Sequence, residues 1–235
     1  ERLNQSRVLI VGAGGLSSPI ALYLAASGVG NLIICDGDQV DLTNLQRQII
    51  HDSNSIGLAK VLSAKQTLNR INPEVSVIAI QEHVGTTKLL QLVTGVDAVV
   101  DASDNFSTRY AVNQACVTQK KPLISGAVVR FDGQVSTFDL RRADSPCYHC
   151  LYPITDGEQE DMPCAIMGVF SPLVGIIGCM QAAETLKILL NIGESLNGRL
   201  LLLDSLTMNW RTIKLHKDPA CSVCHSSVPA DTDVQ

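Results

Sequence analysis

Aromatic residues make up only 4% of this chain while hydrophobic residues reach 46%, so any core must be built from aliphatic side chains. That suits alternating strands and helices better than an all-β sandwich. Charge is thin as well: 17% of residues are charged, the formal net charge is −5, and no basic run or interleaving of aromatic and basic residues occurs. A nucleic acid is therefore not expected as the main partner, which leaves a small molecule or a protein. A clean membrane span is also missing. The most apolar segment, 168–190, is interrupted by Pro172, Gln181, Glu184 and Lys187, and reads as a buried helix. No signal peptide, internal repeat or linker is found. The expectation is one domain over 1–225 with a disordered tail over 226–235, in the cytoplasm and off the membrane.

What is present starts at Arg7–Ser18, RVLIVGAGGLSS, an aliphatic strand that ends in a glycine turn and opens into a helix. Gly12 and Gly14 let bare backbone approach a ligand, and the helix from about Leu16 to Ser27 aims its N–H groups and positive dipole end at a phosphate. The third position of G-x-G-x-x-G is Ser17, and such a turn serves a dinucleotide, a mononucleotide or plain strand-to-helix packing. A second strand, 32–35, completes a βαβ unit, and Asp36 at its end stands where a ribose hydroxyl is usually held.

Further along, Asn44-Leu-Gln-Arg47-Gln48 precedes a helix expected to open at Ser53, Asn54 or Ser55, with Leu58, Val61, Leu62 and Leu68 on its apolar face and Lys60 off that stripe. Segments 75–80 and 98–102 read as strands around a short helix, 86–93. The second of these strands ends in Asp101-Ala-Ser-Asp104-Asn105. In an open α/β sheet ligands sit at the carboxyl ends of strands, so Gly12, Asp36 and Asp104 are expected to face one crevice. Asn105 and Arg109 fit nucleotide contact and a capping or bracing role equally. After strand 122–127 the pattern changes to two alternating segments around an Asp132-Gly133 turn, a hairpin in which Arg130 and Gln134 face either a partner or solvent. A helix near Pro172 with Ser171 as cap, and strands 199–203 and 210–215 with Trp210 in the core, complete an α/β fold: a Rossmann-like, mostly parallel sheet continuing into an antiparallel half.

Eight cysteines in a chain of this length, without a secretion signal, do not suggest a disulfide scaffold. Cys147-x-x-Cys150 and Cys221-x-x-Cys224 have the spacing of two zinc knuckles, a tetrahedral Cys₄ site, with His149 as filler. Arg47, Lys60 and Asp104 exceed what a nicotinamide dinucleotide needs. Two cations beside an acid at a strand end suit a triphosphate with its Mg²⁺, which points to ATP.

VLIVGAGGL, NLQRQ, the later lysine, DASDN, the hairpin GQV, CYHC, SPLVGIIGCMQAAETLK and a final C-x-x-C occur here in the order found in the MoeB/ThiF/HesA family, bacterial relatives of ubiquitin-activating E1 enzymes. The chain resembles that family from Arg7 to about His225. The resemblance implies an adenylyltransferase that takes Mg-ATP and a ubiquitin-like sulfur carrier, and joins the carrier's C-terminal glycine carboxylate to AMP with release of pyrophosphate. It implies Gly12, Gly14 and Asp36 at the nucleotide, Asn44, Arg47 and Lys60 at the phosphates, Asp104 on magnesium, and the four knuckle cysteines on zinc; Asn105 is counted with the nucleotide-binding candidates. It further implies a homodimer in which an N-terminal arm, expected ahead of Glu1 and absent from this sequence, lends an arginine to the partner's phosphates. A separate protein is expected to donate sulfur, and Cys164 is the candidate sulfur-transfer thiol. The carrier is expected to be MoaD-like, with a ThiS-like carrier, or a non-catalytic adaptor for a ubiquitin-like protein, as the alternatives.

Overall fold

Val8 and Ile10 turn to one face of the sheet and Leu9 and Val11 to the other, and both faces are buried, which is why this stretch reads as an unbroken apolar run. The computed structural model describes residues 1–154 and 168–225. In chain order these carry α1 (Arg2–Gln5), β1 (Arg7–Val11), α2 (Ser17–Ala26), β2 (Asn31–Cys35), α3 (Lys60–Ile71), β3 (Ser76–Ile80), α4 (Thr86–Thr94), β4 (Ala98–Asp101) and α5 (Phe106–Gln119). Then follow β5 (Pro122–Val129), β6 (Asp132–Asp139), α6 (Tyr148–Leu151), α7 (Ser171–Leu190), β7 (Arg199–Asp204) and β8 (Asn209–Lys214). The strands form one sheet in the order β3-β2-β1-β4-β5-β6-β7-β8. It is parallel from β3 to β5 and antiparallel from β5 to β8. The α/β class with a parallel and an antiparallel half is therefore as the sequence predicts.

Helices cover both faces of the parallel half. Ile20 and Leu24 of α2, Val61 and Leu68 of α3 and Leu173 and Ile177 of α7 share one core; Leu89 and Val93 of α4 and Val112 and Cys116 of α5 share the other. By length and composition α7 could cross a membrane. In the fold it is a core helix: Leu173, Ile177, Gln181, Thr185 and Leu189 are buried. Consecutive strands run outward from β1 in opposite directions, so the chain switches direction between β1 and β4, and the crevice outside their carboxyl ends is where ligands sit in such sheets.

Five local expectations are corrected. The helix after NLQRQ begins at Lys60, because the preceding backbone is spent elsewhere: Asp52 caps a single 3₁₀ turn, Ser53–Ser55, and residues 57–60 then bond to residues 38–40. Leu62, assigned to its apolar face, is exposed. The hairpin turns at Arg130-Phe131, while Asp132 and Gly133 belong to β6, paired with Val129 and Val128. Gly133 is needed there for packing, since a methyl group would come within 2.7 Å of Ile177. Ser171 is the first residue of α7 rather than its cap, which is Phe170, and its hydroxyl bonds the Gln46 side chain. Trp210 is 41% exposed on the edge strand β8, not in the core. The acidic stretch 156–161, Cys164 and the tail from 226 lie outside the described residues.

Candidate active site

The glycine turn is shaped by how closely the strand ends approach. Gly12 has φ 104, and a methyl there would stand 2.8 Å from the Ala102 carbonyl oxygen, so a side chain would push the end of β1 against the end of β4. Its N–H donates to the Cys35 carbonyl at 2.8 Å, which fixes it to β2 as well. Beyond it the Gly14 carbonyl accepts hydrogen bonds from the Ser17 and Ser18 hydroxyls at 3.0 and 2.7 Å. The serine in place of a third glycine thus closes the first turn of α2, and the residues leading into that turn, Gly14, Gly15 and Leu16, line the crevice. His51, buried behind the turn, has Nε2 2.9 Å from the Ala13 carbonyl oxygen and Nδ1 2.8 Å from Ser63 Oγ. A carbonyl can only accept, so Nε2 carries the proton and Nδ1 accepts from Ser63. Burial holds this imidazole below its ordinary pKa.

The crevice is a cleft of about 210 Å³. Gly12, Gly14, Asp36, Arg47, Lys60, Asp104 and Asn105 all line it. Asp36 takes the Ala13 N–H on Oδ2 at 2.7 Å and the Asp38 N–H on Oδ1 at 2.8 Å, which leaves it acceptor capacity for a ribose hydroxyl. Among the described residues the Arg47 guanidinium is held loosely, by a 3.5 Å contact to the Thr43 carbonyl. Asn44 does not line the cleft. Its amide oxygen instead accepts from Gln48 Nε2 at 3.2 Å, and Gln48 is the residue that reaches the cleft wall beside Gly14. Asn105 caps α5 through the Thr108 N–H at 2.9 Å. Arg109 braces: its guanidinium meets Asp101 at 3.3 Å and the Ser103 and Gly126 carbonyls at 2.5 and 3.0 Å, tying the turn before Asp104 to β5. Asp104, a carboxylate lining the cleft, suits magnesium, which proteins commonly hold through one or two carboxylates with phosphate oxygens and water as the other ligands.

Sequence reasoning missed Asp38, Gln48, His51 and the segment Glu82–Val84, whose residues line the cleft or back it. Gln48 directly follows Arg47 and is four residues on from Asn44, a spacing that brings the two amides together. Nothing in the sequence signals His51.

At the far end of α5 the sulfur atoms of Cys147, Cys150, Cys221 and Cys224 lie within 4.8 Å of one another, with three pairs at 3.9, 3.8 and 3.4 Å. A tetrahedron with Zn–S bonds of about 2.3 Å has edges of about 3.8 Å, so the four thiolates fit zinc. Outer partners are in place: Asn113 Nδ2 stands 3.7 Å from Cys147 Sγ and accepts the Tyr148 N–H on its oxygen, and His149 Nδ1 lies 3.6 Å from Cys221 Sγ. His149 is thus a neighbour of a ligand. In contrast, Cys35 is buried with its thiol pushed up to about 12, and burial pushes Cys116 and Cys179 upward too. Gln134, weighed as a partner contact, accepts the Tyr152 hydroxyl at 2.7 Å.

Comparison with known proteins identifies the family. The chain is 44% identical over 223 residues to the SAMP-activating enzyme E1 of Haloferax volcanii, covering 95% of this chain and 82% of that protein. It is 41% identical over 224 residues to the molybdopterin-synthase adenylyltransferase of Escherichia coli, covering 95% and 89%. Some relatives are longer, and the chain spans about half the length of the Zea mays protein named adenylyltransferase and sulfurtransferase. Among solved structures, that of E. coli MccB with ATP superimposes with a TM-score of 0.84 at 26% identity, over 96% of this chain and 68% of MccB. Residues 1–223 match the ThiF family, and the chain belongs to it.

Proposed function

We propose that this protein is an adenylyltransferase that activates the C-terminal glycine carboxylate of a MoaD-like ubiquitin-like sulfur carrier. The observation that carries the reading is the gathering of Gly12, Asp36, Arg47, Lys60 and Asp104 around one cleft at the carboxyl ends of three parallel strands. The names of relatives at 41–44% identity, among them a sulfur carrier protein adenylyltransferase of Thermus thermophilus, support the same reading.

In the reaction the carrier carboxylate oxygen attacks the α-phosphorus of ATP. A C–O–P bond forms, the bond from that phosphorus to the bridging oxygen breaks, and pyrophosphate leaves with the electron pair. The backbone N–H groups of the glycine turn leading into α2, at Gly14, Gly15 and Leu16, hold phosphate oxygens, and Asp36 accepts from the ribose. Arg47 and Lys60 offset the charge that builds on the departing pyrophosphate, and placed charges of this kind supply much of such rate enhancements. Asn44 acts on the phosphates through Gln48. Asp104 would hold magnesium, which would supply positive charge against the phosphates. Zinc, on the four cysteines, would be structural, because no ligand position is left for a substrate.

The test is to incubate the protein with Mg-ATP and a MoaD-like or a ThiS-like carrier and weigh the carrier by mass spectrometry. A carrier gaining one adenylate is expected for the MoaD-like protein. Adduct on the ThiS-like carrier alone would reassign the substrate, and adduct on neither would favour an adaptor.

A further inference from the structure

Lys60 is only 6% exposed, and its ammonium is already engaged: Nζ donates to Asp38 Oδ2 at 2.7 Å. The same aspartate holds the lysine's backbone, whose N–H donates to the Asp38 carbonyl at 3.0 Å. On its other side the Asp38 N–H donates to Asp36, and Asp36 in turn accepts the Ala13 N–H. A continuous hydrogen-bonded chain therefore runs from the glycine turn through Asp36 and Asp38 to Lys60. His83 faces the free side of the Asp38 carboxylate, with Nε2 3.5 Å from Oδ1. All four side chains, Asp36, Asp38, Lys60 and His83, line the cleft.

We infer that Asp38 is a positioning residue for adenylation, fixing where the Lys60 ammonium stands; this rests on the reading that Lys60 serves the phosphates. A lysine is a compact charge on a flexible four-carbon stem, so its usefulness depends on what pins it. An ammonium has three donors and can keep Asp38 while giving the others to phosphate oxygens. The arrangement has a cost, because Asp38 adds a negative charge to a cleft that receives a triphosphate. A carboxylate there weakens ground-state binding and helps only where orientation counts, in the transition state. Two roles can thus be told apart. If Asp38 only neutralises a buried lysine, its loss lowers stability; if it orients Lys60, its loss lowers the rate and leaves binding intact.

The experiment measures carrier-dependent ATP–pyrophosphate exchange and melting temperature for Asp38→Asn, a replacement the fold accommodates because that side chain is 52% exposed. The expected result is a kcat lowered by about tenfold or more, with KM for ATP unchanged or lower and the melting temperature unchanged, and partial recovery of kcat in Asp38→Glu. A kcat within about twofold of the parent, or a rise in KM accompanied by a lower melting temperature, would overturn the role. Lys60→Ala separates this failure from failure of the reading beneath it. If Lys60→Ala retains both exchange and the preference for ATP over AMP in binding, Lys60 is no phosphate ligand and both ideas fall. If it loses them while Asp38→Asn behaves as the parent, only the positioning role falls. In the double variant Asp38→Asn should lower kcat no further than Lys60→Ala alone, and an additional full loss would show that the two residues act independently.

Discussion

Gly12 and Gly28 share a left-handed backbone and differ in what surrounds them, so alanine at each separates strain from contact. Gly12 has φ 104 with the Ala102 carbonyl oxygen 2.8 Å from where a methyl would stand, whereas Gly28 has φ 82 with nothing within 4 Å among the described residues. Placing alanine in the left-handed region costs about 1–2 kcal/mol at either site. At position 12 the methyl also meets backbone that cannot turn away, because the Ala102 N–H is bonded to the Val11 carbonyl at 2.9 Å. Overpacking of that kind adds about 1–3 kcal/mol, so Gly12→Ala should cost about 3 kcal/mol in all and Gly28→Ala about half of that. In a chain of this length each kcal/mol lowers Tm by roughly 2–4 °C, which gives roughly 10 °C against roughly 4 °C. Circular-dichroism melts measure the difference, and calorimetric ATP titrations on the folded variants measure its functional side. Because the displaced segment leads into Asp104, Gly12→Ala should also weaken ATP binding by about tenfold while Gly28→Ala leaves it unchanged. Equal melting shifts at the two sites, with ATP affinity intact at both, would refute the close-approach argument.

Three further outcomes are expected. Asp104→Ala should reduce exchange by about a hundredfold or more with an unchanged melt, and raising the magnesium concentration should not restore it; wild-type rates would remove Asp104 from the mechanism. Freshly purified, reduced protein should contain one zinc per chain by elemental analysis, and Cys224→Ser should lower Tm before it alters ATP affinity; sub-stoichiometric zinc would count against a structural site. His51 should link stability to pH. Its folded pKa is lowered by burial from an ordinary value of 6.5, so above that pH neither state binds the proton, and below it the unfolded chain takes up a proton that the folded one resists. Stability is therefore lost as pH falls through about 6.5, and denaturant titrations of His51→Gln against the parent should show a shallower loss between about pH 5 and 7; parallel curves would exclude His51 as a source.

The strands were legible because β1, β2 and β4 are aliphatic runs buried on both faces, and the crevice followed from where such strands end. The cysteine cluster was legible from spacing alone. Less visible was the placement of Lys60. The sequence from Ser53 looks like a helix start, yet tertiary pairing of residues 57–60 with 38–40 delays the helix and delivers Lys60 to Asp38 as its first residue. Local propensity lost there to backbone hydrogen bonds made at a distance. The Asp132-Gly133 signal failed similarly: that glycine answers to Ile177 across the core rather than to the turn. His51 was out of reach, since its partners, the Ala13 carbonyl and Ser63, are joined only by the fold.

The measurement that bears most directly on the proposed chemistry is exchange of labelled pyrophosphate into ATP, run with a MoaD-like carrier and with the same carrier bearing a C-terminal amide. A free terminal carboxylate is the nucleophile in this account, so label should enter ATP with the intact carrier and remain at background with the amide. Equal exchange with both forms, or with no carrier at all, would contradict it.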